Sequence, residues 1–119
     1  MSKFLFLLHD EDANLLEMPA ETKQELFNRF VVWTESLKEK GVLRAVESLM
    51  DTGGSTLRRK RDELVVDGPY AELKEMVTGL FVVEVASRSD AEQLASGCPL
   101  LGVGGAVEVR EIAPFPVQP

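Results

Sequence analysis

The sequence predicts an α+β fold in which one antiparallel sheet carries its helices on one face, and three observations predict it. Two runs, KFLFLLH near the start and LFVVEVA around residue 80, are apolar at odd and even positions alike, as strands covered on both faces are. A long run between them repeats its apolar residues at helical spacing. Once a short insert is set aside, the order is strand, helix, strand, strand, helix, strand, a split βαββαβ pattern.

Each element has its own justification. Residues 3–9 read as a central strand with His9 at its C-terminal end. The acidic stretch DEDANLLEMP has no clear period and reads as a surface loop leading to Pro19, which suits the first turn of a helix. Over 21–40, Leu26, Phe30, Trp33 and Leu37 make one apolar stripe, widened by Phe27 and Val31. Lys38 and Lys40 complement the negative end of that helix, and Gly41 can take the left-handed cap. A strand over 43–50, the turn residues DTGGS and a strand at Thr56–Lys60 follow; Arg61, Asp62 and Glu63 turn the chain into a short strand over 64–66.

The stretch VVDGPYAELKE then predicts a polar corner and a short helix over 70–77, ending at Gly79 before a buried strand over 80–86. Ser89 and Glu92 have capping-box spacing, so a second long helix begins there, carries Ala91, Leu94 and Ala95 inward, and stops at Gly97, Cys98 and Pro99. LLGVGG reads as a flexible turn, and AVEVREI as a strand with Val107 and Val109 on one face and Glu108 and Arg110 on the other. The tail 113–119 holds too many prolines for a central strand. The resulting architecture is a ferredoxin-like sandwich with an inserted hairpin and short helix. Its second sheet face needs cover, and a second copy of the same sheet supplies it, so a homodimer is expected.

Composition narrows the function classes. A chain of 119 residues with 45% hydrophobic content suits one domain, and its formal charge of −7 disfavours nucleic acid and anionic membranes as partners. No apolar run approaches the roughly 20 residues that span a bilayer, and the start lacks the pattern of a signal peptide; a cytoplasmic protein is expected. Cys98 is the sole cysteine and His9 the sole histidine, which excludes an internal disulfide and structural zinc. GVGG lacks the Walker lysine and the GxGxxG spacing, so no cofactor is expected.

Taken together, these landmarks resemble the YCII-related family in its DGPF-domain branch. The likeness runs through the apolar first strand, the tryptophan-bearing helix ending in GVL, the STLR strand, VVDGPYAELKE, GLFVVEV, a helix closing at CP, and VEVREI. The resemblance implies a dimeric α+β barrel, two ferredoxin-like sheets facing each other around a cavity. It implies less about activity: members of the branch are mostly of unassigned function and are often linked with alternative sigma factors, and some relatives are proposed enzymes using a His and Asp pair. Those relatives place the histidine on the first long helix. This helix has none, and bears Phe30 and Trp33 instead, so that pair does not carry over.

The residues themselves offer a short set of candidates. Asp67 can cap the helix expected after it or serve as a carboxylate at the mouth of the cavity, and both roles can coexist. Histidine is the side chain type suited to proton transfer near neutral pH, which makes His9 the candidate general base; Asp10, its neighbour, points to the opposite face, which leaves Asp67 as the expected partner. Tyr70 adds a hydroxyl where the branch name has Phe, and Lys74 can reach an anion at the dimer rim. Arg58, Arg59, Lys60 and Arg61 form the basic cluster, either an anion patch or the solvated face of a hairpin; alternation sets Arg58 and Lys60 one way and Arg59 and Arg61 the other. Glu108 and Arg110 make a ligand-binding ion pair if their face looks into the cavity, and ordinary surface charges if it does not. Cys98 is expected to pack rather than react. The functional expectation is a homodimer binding a small organic ligand in its barrel cavity, with His9 and Asp67 available for proton transfer. The alternative is a non-catalytic regulatory module associated with an alternative sigma factor.

Overall fold

A computed structural model of the chain describes residues 1–11, 14–68, 75–117 and 119. Four strands form the main sheet: β1 (Ser2–Glu11), β2 (Leu43–Ser48), β5 (Glu75–Val85) and β6 (Ala106–Glu111), in the spatial order β2-β5-β1-β6 and antiparallel throughout. Numbered among themselves, these strands run second, third, first, fourth, which is the ferredoxin-like order expected of a split βαββαβ chain. Between β2 and β5 the chain makes a separate two-stranded ribbon, β3 (Thr56–Lys60) and β4 (Glu63–Asp67).

Alternation along β1 divides the molecule into two faces. Phe4, Phe6, Leu8 and Asp10 are buried, whereas Leu5, Leu7 and His9 between them are only half-buried. The buried set meets α2 (Ala20–Glu39) and α3 (Arg88–Ala95), together with Phe81, Val83 and Val85 of β5. Trp33 of α2 lies at the centre, its ring 4.7 Å from that of Phe81, 6.4 Å from Phe6 and 6.1 Å from Phe30. Each large side chain fully buried this way contributes about 1.5–3 kcal/mol. The indole N–H also donates to the Leu94 carbonyl at 3.3 Å, which ties α2 to α3. Ala91 and Ala95 let α3 approach the sheet closely.

The ends of α2 follow its sequence. Gly41, at φ +71°, donates to the Lys38 carbonyl at 2.9 Å, and Val42 donates to that of Leu37 at 3.4 Å, the paired bonds of a glycine-terminated helix. Glycine is also required at position 79, where β2 and β5 lie close enough that a Cβ would meet the Glu47 carbonyl oxygen at 2.8 Å. The turn of the ribbon places Arg61 (φ 49°) and Asp62 (φ 66°) both in the left-handed region, as a two-residue hairpin loop demands. Arg61 therefore belongs to the turn and not to the expected alternation with Arg59.

Four further expectations need correction. Residues 14–17 are not loop: α1 (Asn14–Glu17) is one helical turn, whose Leu15 N–H is bound by the buried Asp10 carboxylate at 3.0 Å. Residues 75–77 are not helical, because Glu75, Met76 and Val77 pair with Glu11, Asp10 and His9 at the start of β5; the remainder of the expected helix, 70–74, lies outside the described residues. Helix α3 is capped by Ser87 and not by Ser89, the Ser87 hydroxyl accepting from the Asp90 N–H at 3.1 Å. The segment read as a flexible turn contains a 3₁₀ turn, Pro99–Val103, closed by Gly104 in the left-handed conformation. Among the described residues no helix is long and apolar enough to cross a membrane.

The cap assignment is directly testable. Ser87→Ala should lower unfolding stability by about 1 kcal/mol, and Ser89→Ala should stay within about 0.5 kcal/mol of the parent. Urea midpoints at constant slope read both; an equal loss at the two positions, or a loss at Ser89 alone, contradicts the assignment.

Candidate functional site

The face of the sheet turned away from the helices is built from the half-buried residues of the alternation. Leu5 and Leu7 of β1 lie beside Val82 and Leu80 of β5 in strict register, giving an apolar centre. On the other side of β1, Leu7 pairs with Glu108, Leu5 with Arg110 and His9 with Ala106. Glu108 is thus the diagonal neighbour of His9, within reach of a long side chain. His9 Nε2 lies 3.1 Å from Glu108 Oε1, and Arg110 Nη1 donates to Glu108 Oε2 at 3.3 Å.

Electrostatics and exposure suit this trio to proton transfer. The His9 side chain is 16% exposed and Glu108 41%, so a sheltered imidazole is held by a carboxylate that reaches solvent. The hydrogen bond from His9, followed by that from Arg110, holds the Glu108 carboxyl below its usual range. A carboxylate of that kind fixes the orientation of the ring and stabilises the imidazolium formed when the ring accepts a proton. At the opposite edge of the same face Arg44 Nε donates to Glu84 Oε1 at 2.9 Å, and that bond is the first cause of a lowered Glu84 carboxyl.

The other candidates are distributed elsewhere. Asp67 is exposed at the end of β4, opposite Thr56, on the ribbon and not on the main sheet; the carboxylate that meets His9 is that of Glu108. Arg58 faces out from the same ribbon, paired with Val65, and Arg59 Nη1 donates to the Asp62 carbonyl at 3.3 Å. Tyr70 and Lys74 lie outside the described residues. Asp10 is buried on the helix side, away from His9, where it serves α1. Cys98 is buried, and loss of solvent pushes its thiol up to about 11. Among the described residues no three of His, Cys, Asp and Glu gather where a metal ion could be held.

Two partnerships were absent from the sequence reading. Glu108 could have been assigned to His9, since a ferredoxin-like order sets the first strand beside the last and alternation already placed Glu108 and Arg110 on one face. Arg44 gave no such signal. It reaches Glu84 at the irregularity between Leu43 and Ala45, where the pairing of β2 with β5 shifts.

Glu108 binds its proton less readily in the folded chain than in the unfolded one, so its contribution to stability is present above the ordinary value of 4.5 and is lost as pH falls through the lowered folded value. In carboxyl-detected NMR titration, His9→Ala should move the Glu108 midpoint upward, with Arg110 still holding it below 4.5, and should flatten the acid limb of the stability profile. An unchanged midpoint would remove the His9 bond as its cause. For Cys98, the native chain at pH 8 should resist a disulfide reagent that labels it fully after unfolding; equal labelling rates in both states would contradict its burial.

The model of the YCII-related domain matches residues 2–116. An uncharacterised protein of Rhizobium meliloti (strain 1021) is 36% identical over 78 residues, an alignment covering 63% of each protein, so the chain spans under two thirds of that relative's length. With nearly its whole length matched, from the start of β1 to beyond β6, the chain belongs to the YCII-related family.

Proposed function

We propose that the open sheet face is closed by a second copy of the chain, and that the cavity so formed binds a small organic acid whose proton is moved by His9. The observation that carries this reading is the 3.1 Å contact of His9 with Glu108 on a half-buried face. Glu108 takes the orienting role that the sequence reading assigned to Asp67. Arg110, 68% exposed on its side chain, supplies a donor for the carboxylate of the ligand. The imidazole accepts a proton from an acidic C–H or O–H of the ligand and returns it at another ligand atom, which needs no further reactant. The apolar centre of Leu5, Leu7, Leu80 and Val82 supports burial against a partner, in line with the dimeric barrel that the likeness to the DGPF branch implies.

Light scattering at micromolar concentration should report twice the 13.2 kDa of the chain. Short-chain oxo and hydroxy acids should perturb the His9 and Glu108 resonances saturably, and Arg110→Ala should abolish the effect. Deuterium exchange at the acidic position of a bound acid should slow by about 100-fold or more in His9→Gln, the usual size of a lost general base. A monomeric mass, or exchange at the same rate in His9→Gln, would overturn the proposal.

A further inference from the structure

The β3–β4 ribbon is a sheet of two strands, and such a ribbon is at best marginally stable in water by itself. Its register puts Leu57 opposite Val66 and Leu64 opposite Arg59 on one face. All three apolar side chains are more than half exposed, Leu57 at 59%, Leu64 at 55% and Val66 at 57%. Of the residues in its two strands only Val65 is even half-buried. Among the described residues, the body of the chain therefore leaves the apolar face of the ribbon uncovered.

A groove of about 790 Å³ opens on the helix side of the main sheet, between α2 and the edge strand β2. Phe27, Val31, Val46 and Leu49 line it, and all four are more than two fifths exposed. Phe27 and Val31 were expected to widen the buried stripe of α2; they instead make an apolar wall with nothing of this chain against it among the described residues. The charges along the groove are Glu35, Glu47 and Asp51 against Lys23. What fits such a surface is apolar and cationic together.

The ribbon has that chemistry. Arg59 shares the face of the exposed Leu57, Leu64 and Val66, and Arg61 stands in the turn at its tip, while Arg58 and Lys60 belong to the other face of the ribbon. The ribbon also follows directly from β2, the strand that walls the groove, so arm and groove adjoin one edge of the sheet and a two-fold axis can make both contacts equivalent. We propose that the β3–β4 ribbon of each chain docks its Leu57, Leu64 and Val66 face into the α2/β2 groove of a second copy. Docking covers the exposed edge of β2, which otherwise invites non-specific strand addition. The inference rests on the dimer proposed above and specifies an exchanged arm within it.

The test pairs two differently tagged chains, one carrying Leu64→Cys and the other Phe27→Cys, mixed and oxidised; the buried native Cys98 stays out of the reaction. A disulfide joining the two tags in the mixture is the expected result. Leu57→Asp with Leu64→Asp should raise the dimer dissociation constant by on the order of 30-fold or more, with circular dichroism unchanged because both positions are exposed. A dimer that forms without the cross-link and survives both aspartates overturns the arm exchange and leaves the dimer standing. A monomeric parent chain overturns both.

Discussion

Everything in this molecule depends on the period-two alternation of one central strand. β1 is paired on both sides, by β5 and by β6, so it cannot slip by one residue without moving Phe4, Phe6 and Leu8 out of the core together. That constraint sends Asp10 inward to bind α1 and His9 outward to meet Glu108. Adjacent residues of one strand thus acquire unrelated tasks. The core side of the division is anchored by Trp33, whose ring touches both central strands through Phe6 and Phe81 while its N–H holds α3. Helix packing and candidate site are consequences of the same register, on opposite sides of the sheet.

The fold was legible in the sequence wherever local preference and tertiary pairing agree. The long helix, its glycine end and the alternation of the last strand are such places: Leu26, Trp33 and Leu37 recur at helical spacing and are buried, and Gly41 takes the left-handed cap. Reading failed where pairing overrides preference. Glu75, Met76 and Val77 continue a helix-forming run, yet three cross-strand pairs with the end of β1 hold them extended. Ser87 and Ser89 are equivalent as letters, and only the backbone geometry at Ser87 decides which of them caps α3. Phe27 and Val31 fit the apolar period of α2 but fall beyond the width of sheet available to cover them.

The candidate site was legible in its residues and not in its pairing. His9, Glu108 and Arg110 were each marked, His9 by its chemistry and the other two by sharing a face. The expected partner of His9 is nevertheless Asp67, because Asp10 points to the opposite face and Asp67 is the carboxylate expected at the mouth of the cavity. Elimination along the chain does not decide proximity in space. Asp67 belongs to a ribbon outside the main sheet, while Glu108 reaches His9 through an ordinary strand pairing that connects residues 99 positions apart.

On the open face, charge is confined to the edges. Arg44 and Glu84 bridge at the β2 edge, and Glu108 and Arg110 bridge along β6, while the strands between them present Leu5, Leu7, Leu80 and Val82. Exposed ion pairs of this kind contribute little to the stability of a chain by themselves, because water screens them. Their effect is on what the face can accept. Carboxylates paired within the chain do not repel a second acidic chain as bare ones do, and a polar rim around an apolar centre admits one orientation of a partner in preference to others. For a chain of formal charge −7, neutralising the carboxylates at the edges of that face lowers the electrostatic cost of the proposed pairing of two copies. His9 lies within that rim, so whatever closes the face also sets how much water the imidazole sees and how strongly Glu108 acts on it.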